Sequence, residues 1–126
     1  MFLSNSKTRK IALGCVGVFF GVAAIYHLAV VLWPSLDHGS SPLRHGVFIA
    51  INLAVAVGLF VRPRFFFWLF TALALQQLHS HGSAFAREWS VAHRLDWQSV
   101  LVLVIIPLAW LLLLAEYREK RAGSRN

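Results

Sequence analysis

The chain has 126 residues, 58% hydrophobic and 13% charged, with a formal charge of +7, a pI near 10.9 and a mean hydropathy of +0.64. Soluble domains sit nearer half apolar and a quarter charged, so an ordinary soluble fold is excluded as the first reading, and the length suits a single domain. The basic balance points away from nucleic acid, because most Lys and Arg flank apolar runs, where positive charge fixes orientation and meets anionic lipid.

The first apolar run covers about 11–33, behind Lys7, Arg9 and Lys10. A cleavable signal peptide is the competing reading, but about 23 residues is long for its apolar core. Pro34 ends the helix, since proline cannot continue the hydrogen-bond ladder. Asp37 to Pro42 is turn-rich, and a second helix follows over about 43–61. Arg62-Pro63-Arg64 makes a tight basic turn. A third segment runs over about 65–81, with Gly82 as its expected C-terminal stop. Phe85, Trp89 and Ala92 then fall at spacings of four and three, away from Arg87, Glu88 and Arg94, which predicts a short amphipathic helix over about 83–95 lying at the membrane interface. The fourth segment covers about 97–115, and a kink is expected near Pro107. The charged tail from Glu116 is expected to fray. The predicted fold is all-α: one integral membrane domain, a four-helix bundle with that interfacial helix between its third and fourth transmembrane segments.

Orientation follows from the loops. Nine of the twelve Lys and Arg lie in the N-terminus, the 62–64 turn and the C-terminal tail, which share one side of a four-pass chain. The positive-inside rule makes that side cytoplasmic, in an inner membrane of bacterial type. Trp33, Trp89 and Trp97 then mark the outer boundary, and Trp68 and Trp110 lie towards the inner one.

On this map all six histidines fall towards the outer side. His38 and His93 lie in connections, His45 starts the second segment, and His79 and His81 end the third. His27 lies in the first segment, roughly 10 Å inside the boundary at about 1.5 Å per residue. His45 and Asn52 share one helix face, as do Gln76 and His79, and His93 and Asp96 lie three apart. Polar groups in hydrocarbon are costly unless paired, so His27, Asn52, Gln76 and Gln77 are expected to face the bundle interior.

Neutral imidazole is a common ligand for copper, zinc and iron. Three histidines and a carboxylate would suit a metal with an open position, and a haem would need an axial histidine and a large flat pocket. The metal-ligand candidates are His27, His45 and His79, with His81, His93 or Asp96 completing the shell. Asn52 and Gln76 are candidate cofactor-binding residues. Simpler roles stand beside these. His79 and His81 suit the wetted end of a helix, Asp96 suits an N-cap, and Asn52 and Gln76 suit interhelical hydrogen bonds. His79 and His81 are two apart and cannot point the same way on a regular helix. Cys15 is the only cysteine, so an internal disulfide and a CxxC pair are excluded. The histidine box of membrane desaturases, HExxH, the serine elbow and the phosphate-binding glycine loop are all missing.

Gly14, Phe20, Ala24 and Leu28 in the first segment, and Ala56-Val57-Gly58-Leu59-Phe60-Val61-Arg62-Pro63 closing the second, resemble the DoxX-like group of small four-helix membrane proteins over roughly residues 11–80. Asn52 stands near where that family commonly has an acidic residue, and the histidine set is no general family feature. The resemblance implies four helices and a place beside a membrane redox complex, and it carries over no catalytic residue. The sequence thus points to an accessory redox or metal-handling subunit, in contact with the bilayer and with another membrane subunit or a second copy. The alternatives are a membrane metal-dependent enzyme acting on lipid or quinone, and a ligand-free structural subunit with a glycine face (Gly14, Gly17, Gly21) against a partner helix.

Overall fold

The computed structural model describes residues 5–36 and 41–123, and every regular element among them is helical. The helices are α1 (Ser6–Leu32), α2 (Pro42–Val61), α3 (Phe66–Ala92) and α4 (Trp97–Gly123), with a single 3-10 turn at Pro34–Leu36. Three of them, α1, α2 and α4, are long and apolar enough to cross a membrane. A third or less of each apolar stretch is buried within the chain. The remainder presents Val18, Val22, Ile25, Val57, Leu101 and Val104 outward. Soluble monomers rarely expose contiguous apolar surface on this scale.

Capping chemistry sets most of the helix ends. Asn5 Oδ1 accepts from the backbone N–H groups of Lys7 (3.0 Å) and Thr8 (3.2 Å), which starts α1 ahead of the expected boundary. Lys7, Arg9 and Lys10 therefore lie within the helix. Ser41 Oγ accepts from Arg44 N–H at 3.3 Å, and Pro42 opens α2 where its missing N–H costs nothing. α2 closes on Arg62 in the left-handed region (φ 52°), whose N–H returns to the Gly58 carbonyl at 2.8 Å.

Three sequence-based expectations are corrected. Gly82 does not stop the third helix, and no separate helix occupies 83–95. Instead α3 runs unbroken through both to Ala92. A lone glycine costs a helix only about 1 kcal/mol, and Gly82 is followed by helix-compatible residues with no proline. The actual stop is His93, which takes the left-handed conformation (φ 49°) usually left to glycine and donates its N–H to the Trp89 carbonyl at 3.2 Å. The charged tail does not fray from Glu116, because α4 continues to Gly123. Its last turns gain an i,i+4 ion pair from Lys120 to Glu116 (2.8 Å), and Lys120 and Arg121 suit the negative end of the helix dipole.

The chain divides into two compact units. In Lys10–Arg62, α1 and α2 meet through side chains. The Phe60 ring covers Gly14 and Gly17, and a Cβ on Gly17 would lie 3.0 Å from it. That part of the glycine face is thus occupied from within the chain. Leu13, Phe20, Ala24, Val55 and Leu59 are buried here.

The other unit, Met1–Arg9 with Pro63–Asn126, contains α3 and α4. These run antiparallel, from Phe67 stacked on Tyr117 (centroids 4.7 Å) through Trp110 Nε1 donating to Thr71 Oγ1 (3.0 Å) to His81 beside Ser99 (3.0 Å). Phe66, Phe70, Ala74, Ile106, Ala109 and Leu112 form its apolar core. Arg9, only 2% exposed, forms an ion pair with Glu119, so the first turn of α1 and the last turns of α4 lie together. Glu119 supplies the negative charge that the first turn of α1 lacks.

The continuity of α3 is directly testable. A Cβ at Gly82 would meet nothing within 4 Å, and no glycine among the described residues has positive φ. Gly82→Ala is therefore expected to leave the melting temperature unchanged or raise it, by up to about 1 kcal/mol of helix propensity. A fall of that size would mean that the chain turns at Gly82.

Candidate functional site

His27 and His45 meet at the ends of α1 and α2 nearest their connection. His27 sits on the face of α1 that carries Leu13, Phe20 and Ala24, and His45 lies one turn into α2. Their Nδ1 atoms are 2.9 Å apart, a hydrogen bond in which one ring donates and the other accepts. His45 is 4% exposed and His27 is half-buried. The His27 ring stacks on Phe48 (5.0 Å, 16°) and meets Tyr26 edge-on at 5.5 Å. The Arg44 guanidinium stands 5.7 Å over the other partner ring, Phe48. Aromatic rings thus meet the His27 imidazole from two sides. Seven residues beyond His45, Asn52 is also buried on the same side of α2.

A second polar cluster joins α3 to α4. Asp96 caps α4: its Oδ1 accepts from the Ser99 N–H (3.2 Å), and its Oδ2 accepts from the Ser99 hydroxyl (2.5 Å). His81 Nδ1 lies 3.0 Å from the same hydroxyl. Ser99 is 1% exposed, so it is no accessible nucleophile. The carboxylate also grips the serine and not the imidazole, the reverse of the arrangement that would orient a histidine base. This cluster therefore secures a helix start to a neighbouring helix. Hydrogen bonds from the Ser99 hydroxyl first, then from the Ser99 and Gln98 N–H groups, hold the Asp96 carboxyl below the usual carboxylate range.

The remaining candidates take simpler positions. His79 is exposed on α3, while His81, two residues on, is half-buried. His93 is exposed, caps α3 through its backbone, and sets its ring edge-on to Trp89 at 6.5 Å. Gln76 is exposed and accepts from Gln77 Nε2 at 2.8 Å, a contact between neighbours and not between helices. Asp37 and His38 lie outside the described residues. Among the described residues no three His, Cys, Asp or Glu side chains gather as metal ligands would. Of the expected shell, the structure joins His27 to His45 and, separately, His81 to Asp96 through Ser99.

Sequence reasoning did not single out Ser99, Phe48 or the Arg9–Glu119 pair. Ser99 carried a local signal, since it stands three residues after a capping Asp. The other contacts join residues far apart in the chain, without any local pattern. Comparison with protein-family models, with curated proteins and with solved structures found no match.

The Asp96 cap makes stability depend on pH. Its folded pKa lies below the unfolded value of about 3.9, so the stabilisation is present above that value and is lost as pH falls through the folded pKa. Melting curves below about pH 4 are therefore expected to drop more for the wild type than for Asp96→Asn. Parallel curves would mean that the carboxylate charge contributes nothing to the cap.

Proposed function

We propose that this protein spans a membrane four times, with both termini cytoplasmic, and binds one transition-metal ion at the His27–His45 pair in its outward half. The ion pair between Arg9 and Glu119 supports an even number of crossings, because it brings the start of α1 beside the end of α4. With α1, α2 and α4 apolar enough to cross, α3 supplies the fourth passage. Its 27 residues extend about 40 Å, more than the hydrocarbon thickness of about 30 Å. Its polar residues Gln77 and His81 are half-buried, as intramembrane polar groups need to be. In this arrangement the last turns of α3, around Trp89, reach the outer interface.

The observation that carries the metal reading is the 2.9 Å approach of two Nδ1 atoms. Metal–nitrogen bonds of about 2.0–2.1 Å, at angles between square and tetrahedral, hold two nitrogens about 2.9–3.4 Å apart. The ion would take the place of the hydrogen bond, with each neutral ring ligating through Nδ1 and carrying its proton on Nε2. Two imidazoles leave further positions for a partner's ligand, which suits a metal-handling or redox accessory subunit beside a larger membrane complex, as the DoxX-like resemblance implies.

Metal content of the purified protein, and titration with copper and zinc, test this reading. One ion per chain is expected, with binding that weakens as protons compete for the ring nitrogens at lower pH. His27→Ala and His45→Ala are each expected to weaken binding by at least tenfold, and His79→Ala to leave it unchanged. No binding in the wild type, or binding indifferent to His45→Ala, overturns the site. The same pair also closes its own hydrogen bond without a ligand, which favours a structural subunit as the second reading. Full stability with no metal bound, and loss of stability in His45→Ala, would decide for it. Reporter fusions at Ser41 and after Asn126 test the topology: an outward signal at the first and a cytoplasmic one at the second are expected.

A further inference from the structure

At the end of the α3–α4 pair away from His81 and Ser99, the entry to α3 and the last turns of α4 form an open pocket of about 460 Å³ lined by Arg64, Phe65, Trp68, Tyr117, Lys120 and Arg121. We propose that this pocket binds the headgroup of an anionic phospholipid. The inference rests on the four-pass reading above, and is independent of the metal site.

The lining has the two halves that such a ligand requires. Arg64, Lys120 and Arg121 bring three cationic side chains to one opening. The adjacent Glu116 carboxylate, 2.8 Å from Lys120 Nζ, offsets part of that charge and orients the ammonium. Arginine offers a planar fork matched to phosphate oxygens, and lysine adds a compact charge. The other three lining residues are aromatic. Phe65 and Trp68 are 68% and 61% exposed, an unusual degree for such large apolar side chains. Tyr117 is held between Phe67, stacked on it at 4.7 Å, and Trp68, edge-on at 5.9 Å. Tryptophan and tyrosine favour the headgroup level of a bilayer, where one part of the ring is apolar and the other wet.

The position in the chain agrees. The apolar run of α4 ends near Ala115, and Tyr117, Lys120 and Arg121 follow within two turns. Arg64 and Phe65 stand just before α3 begins. The cations therefore lie beyond the apolar stretch, and the rings lie at its edge. A phosphodiester can meet Arg64, Lys120 and Arg121 while its glycerol and upper acyl carbons cover Phe65 and Trp68. A soluble phosphate would use only the cationic half and leave the exposed rings in water. That difference assigns the pocket to a lipid.

Native mass spectrometry of the full chain, released from symmetric nanodiscs of phosphatidylcholine with and without phosphatidylglycerol, tests the proposal. The wild type is expected to retain one phosphatidylglycerol in preference to phosphatidylcholine. Arg64→Gln, Lys120→Gln and Arg121→Gln are each expected to reduce that preference roughly fivefold, the effect of one basic residue at a membrane surface. Arg118→Gln removes an equal charge from the same helix end outside the pocket, and is expected to leave the preference intact. Arg64→Lys, which preserves charge and so orientation, should retain most of it. Melting temperatures in phosphatidylcholine alone confirm that each variant is folded. Equal losses from Arg118→Gln and Lys120→Gln would reduce the effect to general surface attraction and overturn the site. So would displacement of the lipid by millimolar inorganic phosphate. Symmetric discs make the result independent of orientation, and the lipid preference should survive His45→Ala. Failure of the topology or of the metal site is therefore distinguishable from failure of this pocket.

Discussion

A polar side chain on an apolar helix is costly to leave alone, and its partners must come from its own backbone or from a neighbouring helix. That constraint fixes how α3 and α4 are aligned. Thr71 donates its hydroxyl hydrogen to the Phe67 carbonyl at 2.7 Å and accepts from Trp110 Nε1 at 3.0 Å. One small residue therefore satisfies an indole N–H on an otherwise apolar stretch of helix. Further along the same pair of helices, Ser99 stands between Asp96 and His81. In the other unit His27 and His45 satisfy one another. Apolar packing of Phe70, Ala74, Ile106 and Ala109 fills the space between α3 and α4. Apolar contacts alone would tolerate more than one alignment, whereas these hydrogen bonds are made in only one.

The apolar runs were legible because hydropathy over twenty residues is a strong and local signal. α1, α2 and α4 follow from it, whereas the single helix α3 was expected as two pieces parted at Gly82. Helix ends were less legible, for reasons particular to each. Gly82 is a plausible stop by composition, but nothing in its surroundings requires a turn. His93 is an improbable one, since a Cβ disfavours the left-handed region, yet the chain reverses there towards Asp96. The tail from Glu116 has the composition of a frayed segment, while its Glu116–Lys120 spacing and its contact to Arg9 keep it helical. Of the candidate site, the burial of His45 and Asn52 on one face of α2 was legible from a spacing of seven. The choice of His45 as the partner of His27 was not, since eighteen residues and a turn separate them.

α3 changes character along its length. Arg64 and Phe65 just before it and Trp68 in its first turn make a cationic and aromatic combination. Its later turns hold Gln76, Gln77, His79 and His81, which are neutral or weakly basic and rich in hydrogen-bonding groups. Arg87 and the exposed Trp89 follow in its last turns, so the neutral polar groups occupy the middle of the helix. The basic tail of α4 adds to the Arg64 end, and the Asp96 cap with its serine closes the other.

The Thr71–Trp110 bond and the His81–Ser99 contact lie ten residues apart on α3 and eleven apart on α4. Sliding one helix past the other by a turn, about 5.4 Å, would break both together and leave the Trp110 indole N–H and the His81 Nδ1 without these partners. The two helices are thus pinned at two heights, like a ladder with two rungs. A piston stroke is closed to this pair. What remains is flexure between the pins, and Pro107 sits in that interval, where its missing N–H already weakens the backbone ladder. Bending at that proline is the deformation of α4 that leaves both contacts to α3 in place.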